Sequence, residues 1–312
     1  MDVLGSGSRA DEPIALRVLG IDVPDSLLAR WSFWLAPALQ PFFVANPASV
    51  HAPGSAAALT AESRDTFKVW KIGSATPALW LDENSFASLT EASRKDLVRQ
   101  QVAIGRGGVP TVRTWADLLD PALLRAQAGG HRFVWWPWLV GKNPGAILDR
   151  VILKSPGGDQ DDQLPSRHTE VPPATWSACR DVLPGIRTLA GTFPMGSGPN
   201  CFGTVMAATG VLNTANEWMQ REPFEGWLAA CARRGGDDNE PGTVLVWRDR
   251  DGVAVHAAVT LGSGWGLQKA SQEWWTPRCI LSVGAIIRSN RVRGWRLERH
   301  RISRTSDMEV GR

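Results

Sequence analysis

The chain has 312 residues, of which 43% are hydrophobic and 21% charged, and its formal net charge is +3 at pH 7. These values are typical of a globular protein with room for one or two domains, and so weak a basic charge gives no support to nucleic-acid binding. Sixteen tryptophans and no tyrosine exclude a mechanism that needs a phenol and indicate an aromatic core. The sequence has no run of about 18 apolar residues and no signal-peptide pattern, which predicts a cytoplasmic protein without a membrane partner.

The four cysteines indicate neither a disulfide framework nor a metal site. Cys179, Cys201, Cys231 and Cys279 include no Cys-x-x-Cys pair and lack zinc-finger spacing. Four thiols in a chain of this length are too few for a disulfide scaffold. We therefore expect reduced thiols, no metal and no cofactor.

The first half, residues 1–155, has the pattern of a mixed α and β domain. Strands are predicted over residues 15–23, 66–72, 78–81 and 131–139. Helices are predicted from Asp25 onward and over 90–103 and 114–128, the last interrupted by Pro121. We assign no function to this region, although it could cap a cleft.

A change of composition separates this half from the rest of the chain. Residues 156–173 hold four prolines and the run Gly-Gly-Asp-Gln-Asp-Asp, which predicts a linker or a long surface loop. The second domain then covers residues 174–312.

The second domain carries helix signals first and strand signals afterwards. Helices are predicted over 175–182, over 201–211 and, in two pieces, over 217–234. Turn residues separate three antiparallel strands, predicted over 243–247, 253–261 and 265–270. Residues 279–287 fit either a strand or a helix, and 294–302 predicts a strand that closes the sheet. The expected fold class is therefore α+β.

Cys201 stands at the predicted start of an apolar helix, after the loop Gly198-Pro199-Asn200. A helix N-terminus directs backbone N–H groups and the positive end of the helix dipole at the thiol, which favours the thiolate. His256, in the middle strand, is the candidate base for the thiol proton. Gln268, on the next strand, is the candidate partner of the second ring nitrogen. This order of residues predicts nucleophilic catalysis by a thiol.

Four segments of the second domain resemble the NlpC/P60 family of papain-like cysteine peptidases. Asn200-Cys201-Phe202-Gly203 is similar to the family's Asp-Cys-Ser-Gly motif, and residues 241–247 are similar to its Pro-Gly-Asp-Leu-Val-Phe-Phe segment. Residues 256–264 match its histidine strand and hairpin, and Gln268 falls on its third catalytic position. The resemblance covers residues 185–302. It implies a papain-like domain in which a helix bearing Cys201 packs on an antiparallel sheet bearing His256 and Gln268.

The resemblance also implies where the oxyanion and the substrate would bind. Arg187 stands at the position of a family tyrosine that helps the oxyanion site, and Asn200 replaces the family's aspartate. Arg187 and Asn200 are therefore candidate oxyanion residues, and Trp265 and Trp274 are candidate substrate contacts. These departures, together with Phe202, separate the chain from peptidoglycan hydrolases.

Three functions are compatible with these residues. The first is an amide hydrolase, an amidase or peptidase for a small-molecule or peptide substrate, in which Cys201 forms a thioester acyl-enzyme that water releases. The second is an acyltransferase or amide-forming enzyme of small-molecule metabolism, in which an amine releases the acyl group. The third is a binding protein that retains the fold without activity.

Overall fold

The computed structural model describes residues 14–44, 54–153 and 163–303, and the chain divides into two units. Unit 1 comprises the residues up to Val18 together with Asp22–Gly158, and unit 2 comprises Leu19–Ile21 together with the residues from Asp159 onward. This division falls within the predicted linker 156–173, of which 156–162 lie outside the described residues. Both units combine helices with antiparallel strands, so the α+β class is confirmed.

The described chain up to residue 153 contains a hairpin, a three-stranded antiparallel sheet and seven α-helices. Its strands are β1 (Ile14–Val18), β2 (Ile21–Pro24), β3 (Leu39–Phe43), β4 (Gly54–Ser55) and β5 (Pro77–Asp82), and the sheet order is β3-β5-β4. Its helices are α1 (Asp25–Leu35), α2 (Ala61–Thr66), α3 (Glu83–Ser88), α4 (Glu91–Ala103), α5 (Pro121–Ala128), α6 (Pro137–Val140) and α7 (Pro144–Leu153).

Strand β3 divides the apolar side chains of unit 1 between two clusters. Phe42 stacks on Phe86 with ring centroids 5.5 Å apart, whereas Phe43 packs in a second cluster with Phe67. The buried guanidinium of Arg106 lies 4.9 Å from the ring centroid of Phe42 and 4.2 Å from that of Phe67. Burial lowers the pKa of Arg106 to about 9. The two aromatic faces offset part of the cost of burying this charge.

Three strand predictions in this half need correction. The strand predicted over 15–23 is the β1–β2 hairpin, which turns at Leu19 and Gly20, both with positive φ. The predicted strand 66–72 is a turn after α2, in which Lys68 has a φ of 54°. The predicted strand 131–139 is irregular up to Trp136, and Pro137 then begins α6. The buried tryptophans form an apolar run of the kind that a buried strand also has, which explains the wrong prediction. Proline at the first helical position favours the start of a helix.

The described part of the chain beyond residue 163 contains five α-helices around a six-stranded antiparallel sheet. The helices are α8 (Pro173–Cys179), α9 (Ile186–Leu189), α10 (Cys201–Ala208), α11 (Arg221–Cys231) and α12 (Val283–Ser289). The strands are β6 (Ala232–Arg234), β7 (Pro241–Arg248), β8 (Ala254–Gly262), β9 (Trp265–Lys269), β10 (Arg278–Ser282) and β11 (Arg296–Ile302). None of the helices in the described ranges is long and apolar enough to cross a membrane.

The sheet of unit 2 has the strand order β10-β9-β8-β7-β11-β6. The three consecutive antiparallel strands β7, β8 and β9 confirm the sequence prediction. Strand β11 was also predicted, and it pairs between β7 and the short β6. The edge strand β10 is accompanied by residues of the predicted linker, because Arg167 donates its backbone N–H to Ile280 O over 2.7 Å.

Two other predicted elements of unit 2 differ from the structure. The predicted helix 217–234 is a single helix, α11, followed by β6. Pro223 does not break it because the first turn of a helix needs no internal N–H donor. Residues 279–287 are both strand and helix, since β10 passes directly into α12 at Ser282, whose hydroxyl accepts the N–H of Ala285.

Apolar residues cover the sheet of unit 2 on both faces. On the face of α10 they include Val246, Ala257 and Val259, which cluster with Cys201. On the face of α12 they include Leu245, Trp247, Ala258 and Ile286. Successive side chains of a strand point to opposite faces, so the register that pairs Val246 with Ala257 and Trp247 with His256 decides which residues can reach which helix.

An ion-pair network ties α11 to β7 and β11. Arg248 binds Glu225 through both guanidinium Nη atoms, and its Nε donates to Glu298 over 2.8 Å. The Arg248 side chain is only 13% exposed, whereas Arg234, which also binds Glu298, is 78% exposed. Arg248→Ala is expected to lower the free energy of unfolding by about 2 kcal/mol, because it removes the arginine bound to Glu225 and leaves the shielded Glu298 with more exposed partners such as Arg234.

Arg234→Ala provides the control for this prediction. It removes an exposed partner of the same Glu298 and is expected to cost less than about 1 kcal/mol. Urea denaturation of both variants measures the difference. Equal losses would mean that burial does not set the strength of this network.

Candidate active site

Asn200 fixes the start of α10. Its side-chain oxygen accepts the N–H of Gly203 over 3.0 Å, and its side-chain nitrogen donates to the carbonyl of Met219 over 2.7 Å. The first contact is an N-cap, which satisfies one of the N–H groups left without a helical acceptor. The geometry gives Asn200 this structural role in place of the predicted oxyanion contact. Cys201 becomes the first residue of the helix, as the sequence predicted.

The Cys201 thiol lies against backbone N–H groups in a closed environment. The residue is 8% exposed, and burial raises the pKa of its thiol to about 11. The N–H groups of Ala257 and Phe202 and the charge of Lys269 oppose this rise. The expectation that the helix N-terminus yields a thiolate is therefore outweighed by burial, and the thiol is neutral at pH 7.

His256 is also buried and neutral. Its ring centroid is 5.3 Å from that of Trp247, which pairs with it across β7 and β8. Burial lowers the pKa of His256 to about 4, and a hydrogen bond that the ring donates to Gln268 opposes this shift. Within the described residues, however, Nε2 has no partner at good hydrogen-bond geometry.

Gln268 belongs to a polar group on the α12 face of the sheet. It is 6% exposed and pairs with Cys279 of β10. Its side-chain oxygen accepts a hydrogen bond from Asn290 Nδ2 over 2.9 Å. The sequence analysis missed Asn290, although an asparagine directly after a helix is a common end signal.

The structure brings His256 and Gln268 together and places Cys201 beside their strands. The thiol meets the N–H of Ala257, the residue that follows His256. Because side chains alternate along β8, the His256 ring packs with Trp247, while Cys201 packs with Ala257 on the α10 face. No hydrogen bond joins the thiol to the imidazole in the described part of the chain. Of the triad inferred from the sequence, the described residues therefore show the pair of His256 and Gln268 but no contact between this pair and the Cys201 thiol.

Lys269 is a buried cation next to this site. Its side chain is fully buried, and Nζ donates to the backbone oxygens of Ser271 and Glu273, at 2.5 and 3.1 Å. Its charge favours the thiolate forms of Cys201 and Cys279. Sequence reasoning missed it because lysine in a strand is usually exposed.

The loop that follows Lys269 is joined to the loop before Cys201. Gly198 donates its N–H to the carbonyl of Gln272 over 2.8 Å. Ser271 also binds Glu273 and Thr276 through its hydroxyl, at 2.7 and 2.8 Å. The loop that binds the Lys269 ammonium therefore also contacts the loop that precedes Cys201.

The other predicted contacts lie elsewhere. Arg187 is exposed, and its guanidinium is 5.7 Å from the ring centroid of Trp176. Its charge acts on the pKa of Cys179, whereas it is not among the influences on Cys201. The structure therefore does not support Arg187 as an oxyanion residue, because its charge acts on the thiol of Cys179 and not on that of Cys201.

The two predicted tryptophan contacts also have other roles. Trp265 begins β9, at the opposite end from Gln268, and the guanidinium of Arg167 lies 4.8 Å from its ring centroid. Trp274 is fully buried and packs edge-on against Trp275, with centroids 4.9 Å apart. A side chain with no exposed surface cannot wall an open cleft, so Trp274 is a core residue.

The described residues contain no group of three or more His, Cys, Asp or Glu side chains that could hold a metal ion. Comparisons of the chain with known protein families, with curated proteins and with solved structures found no match.

Proposed function

We propose that the protein is a cysteine-dependent amide hydrolase with a papain-like domain of the NlpC/P60 type, as the sequence resemblance implies. One observation supports this most. The Cys201 thiol lies at the N-terminus of a buried helix and against the backbone N–H of Ala257. Ala257 follows His256 in the sequence, and Gln268 contacts His256. Helix terminus, imidazole and amide are the groups that thiol acyl transfer requires.

The chemistry follows from these groups. The Cys201 sulfur attacks the carbonyl carbon of an amide or ester, and a base takes the thiol proton and returns it to the leaving group. The sequence resemblance assigns this base to His256, whose ring packs with Trp247 in the resting structure and has to turn toward the thiol for the transfer. The developing oxyanion accepts a hydrogen bond from the Cys201 backbone N–H, since first-turn N–H groups have no helical acceptor. Water then releases the acyl group from the thioester and restores the thiol.

The resting state differs from a preformed thiolate–imidazolium pair. The thiol has a pKa of about 11 and the imidazole one of about 4, so the proton stays on sulfur until a substrate arrives. Proton transfer then accompanies the attack. At pH 7, iodoacetamide should label the half-exposed Cys231 before Cys201, so alkylation order alone does not test the proposal.

A second candidate function is a binding protein that has kept the fold without activity. The closed, neutral site and the missing thiol–imidazole hydrogen bond favour it. An acyltransferase would use the same residues as the hydrolase, and the two differ only in whether water or an amine accepts the acyl group.

Intact-mass measurement tests the proposal. The wild-type chain is incubated with a panel of activated esters, thioesters and amides and is expected to gain the mass of one acyl group. Cys201→Ala is expected to lose this adduct and to keep only the background acylation of its other thiols, because the nucleophile is gone. Cys231→Ala, which removes the more exposed thiol, is the matched control and is expected to react like the wild type.

The chase that follows separates the candidates. Release of the acyl group in buffer indicates a hydrolase, and release only after addition of an amine indicates an acyltransferase. A wild-type chain that forms no adduct, or forms the same adduct as Cys201→Ala, would favour the binding protein.

A further inference from the structure

Thr204 is a buried polar residue of α10 whose hydroxyl the surrounding chain leaves unused. The residue is 1% exposed, and no described residue offers its Oγ1 a hydrogen bond. The helix is regular at this point, because the N–H of Thr204 donates to the carbonyl of Asn200 over 3.0 Å. A buried hydroxyl without a hydrogen bond destabilises a fold, so its presence calls for an explanation. Thr204 also lies three residues after the candidate nucleophile Cys201.

Four other threonines of unit 2 satisfy their hydroxyls within their own backbone. Each donates Oγ1 to the carbonyl oxygen three residues earlier, over 2.7 to 2.9 Å; these are Thr188, Thr192, Thr209 and Thr214. The same bond from Thr204 would go to the carbonyl of Cys201, and it is not formed among the described residues. The Thr204 hydroxyl therefore remains available to a group outside the backbone of α10.

The turn of α10 places this hydroxyl on a defined flank of Cys201. Residues three apart on a helix have Cβ atoms about 5–6 Å apart, so Thr204 and Cys201 are neighbours on one face. Phe202 points toward α11, where its ring stacks on Phe224 with centroids 4.4 Å apart. Thr204 comes two residues later and is rotated from Phe202 by about 200° around the helix axis. It therefore lies on the flank of Cys201 that faces away from α11.

Two buried cations lie toward this same flank of Cys201. In the sheet, β7, which is bound to α11, and the β9–β10 pair lie on opposite sides of β8. Lys269 of β9 pairs with Arg278 of β10, and the two are 0% and 3% exposed. Leu267 and Ile280, each two residues away, cluster with Cys201. Because side chains alternate along a strand, Lys269 and Arg278 also lie on the α10 face.

Arg278 reaches the segment that packs against the start of α10. Its guanidinium donates to the carbonyl of Ala215. The carbonyl oxygen of the preceding residue, Thr214, lies 2.5 Å from the position that a Cβ atom on Gly203 would take. Gly203 directly precedes Thr204. The contacts therefore bring together a positive guanidinium, a hydroxyl donor and the N–H groups of a first helical turn, a combination that suits a negatively charged oxygen.

We propose that the Thr204 hydroxyl donates a hydrogen bond to the oxyanion that forms when the Cys201 sulfur attacks a carbonyl group. As the sulfur–carbon bond forms, the carbonyl π electrons move onto the oxygen, and they return when the leaving group departs. The Thr204 hydroxyl and the Cys201 backbone N–H bind this oxygen, while Lys269 and Arg278 add positive potential. The hydroxyl keeps its own proton throughout. This inference rests on the proposed function and adds a catalytic residue to it.

Thr204→Val tests the hydroxyl, because it puts a methyl group in its place and keeps the branched shape of the side chain. The rate of Cys201 acylation by p-nitrophenyl acetate is followed by intact mass, and adduct on Cys201→Ala is subtracted as the background. Thr204→Val is expected to slow acylation about 100-fold, as loss of one oxyanion donor typically does. Its urea midpoint should equal or exceed that of the wild type, because no hydrogen bond to a described residue is lost.

Two further variants separate catalysis from packing. Thr204→Ser keeps the donor and removes only the methyl group, so most of the wild-type rate should remain. Thr209→Val removes a hydroxyl that donates to the carbonyl of Met206 at the other end of the same helix. It is expected to lower the urea midpoint, because a hydrogen bond is lost, and to keep the wild-type rate.

Three results would overturn the inference. One is a wild-type rate in Thr204→Val while Cys201→Ala loses the adduct, which leaves the proposed function standing. Another is an equal loss of rate in Thr204→Val and Thr204→Ser, or a lowered urea midpoint in Thr204→Val, since either result would give the residue a packing role. The third is a wild-type chain without a Cys201 adduct, which removes the proposed function as well.

Discussion

Gly203→Ala is expected to lower the free energy of unfolding by about 3 kcal/mol, the upper end of the cost of overpacking. A Cβ atom at this position would lie 2.5 Å from the carbonyl oxygen of Thr214 and 3.3 Å from that of Glu217. Both are backbone atoms and cannot rotate away. The segment 214–219 would have to move, and with it the Met219 carbonyl that holds Asn200.

Gly226→Ala is the matched control. Gly226 lies within α11, and a Cβ atom there meets nothing within 4 Å. Alanine should therefore raise stability by about 0.5–1 kcal/mol, since glycine is disfavoured inside helices. Urea denaturation followed by circular dichroism compares the two variants. A neutral Gly203→Ala would show that residues 214–219 do not lie against the start of α10.

Local sequence signals predicted the parts of unit 2 that depend on neighbours in the chain. The start of α10 at Cys201 was predicted from an apolar run that follows a glycine- and proline-containing loop, whereas the N-cap role of Asn200 was not predicted. The hairpin between β7 and β8 follows from its turn, where Asp249 accepts the N–H groups of Asp251 and Val253. The alternation of apolar and polar residues on either side of this turn then predicted the two strands.

The arrangement of the site depends on register, which local signals do not carry. A shift of one residue moves every side chain of a strand to the other face. His256 packs with Trp247, while Ala257 packs with Cys201, and the two residues are adjacent in sequence. The order of the residues along the chain therefore predicted that the thiol and the imidazole lie near each other, but not which face of the sheet each one occupies.

The sequence analysis also failed to identify two polar residues near the site. In a predicted strand, lysine is expected to be exposed, but Lys269 is buried. Its ammonium donates hydrogen bonds to two backbone oxygens of the following loop. Such partners appear only when the loop folds back, because a buried charge needs contacts that propensity does not describe. The same holds for Asn290, whose partner Gln268 is 22 residues away along the chain.

Acidification from pH 7 to pH 4 is expected to cost the native state about 3 kcal/mol through His256 alone. The pKa of His256 is about 4 in the folded chain, compared with 6.5 for the ordinary side chain. Well above pH 6.5 the residue is neutral in both states and contributes no pH dependence. As the pH falls through this window the unfolded chain takes up a proton that the folded chain resists, so stability falls.

Urea denaturation at intervals between pH 7.5 and 4 measures this effect as the difference between the wild type and His256→Gln. The carboxylates titrate alike in both chains and cancel in the difference. His131→Gln, at an exposed position, is the control and should retain the wild-type pH dependence. A preformed imidazolium–thiolate pair would raise the pKa of His256 instead, and its stabilising contribution would be lost as the pH rises. The sign of the difference therefore decides whether the resting site is neutral or an ion pair.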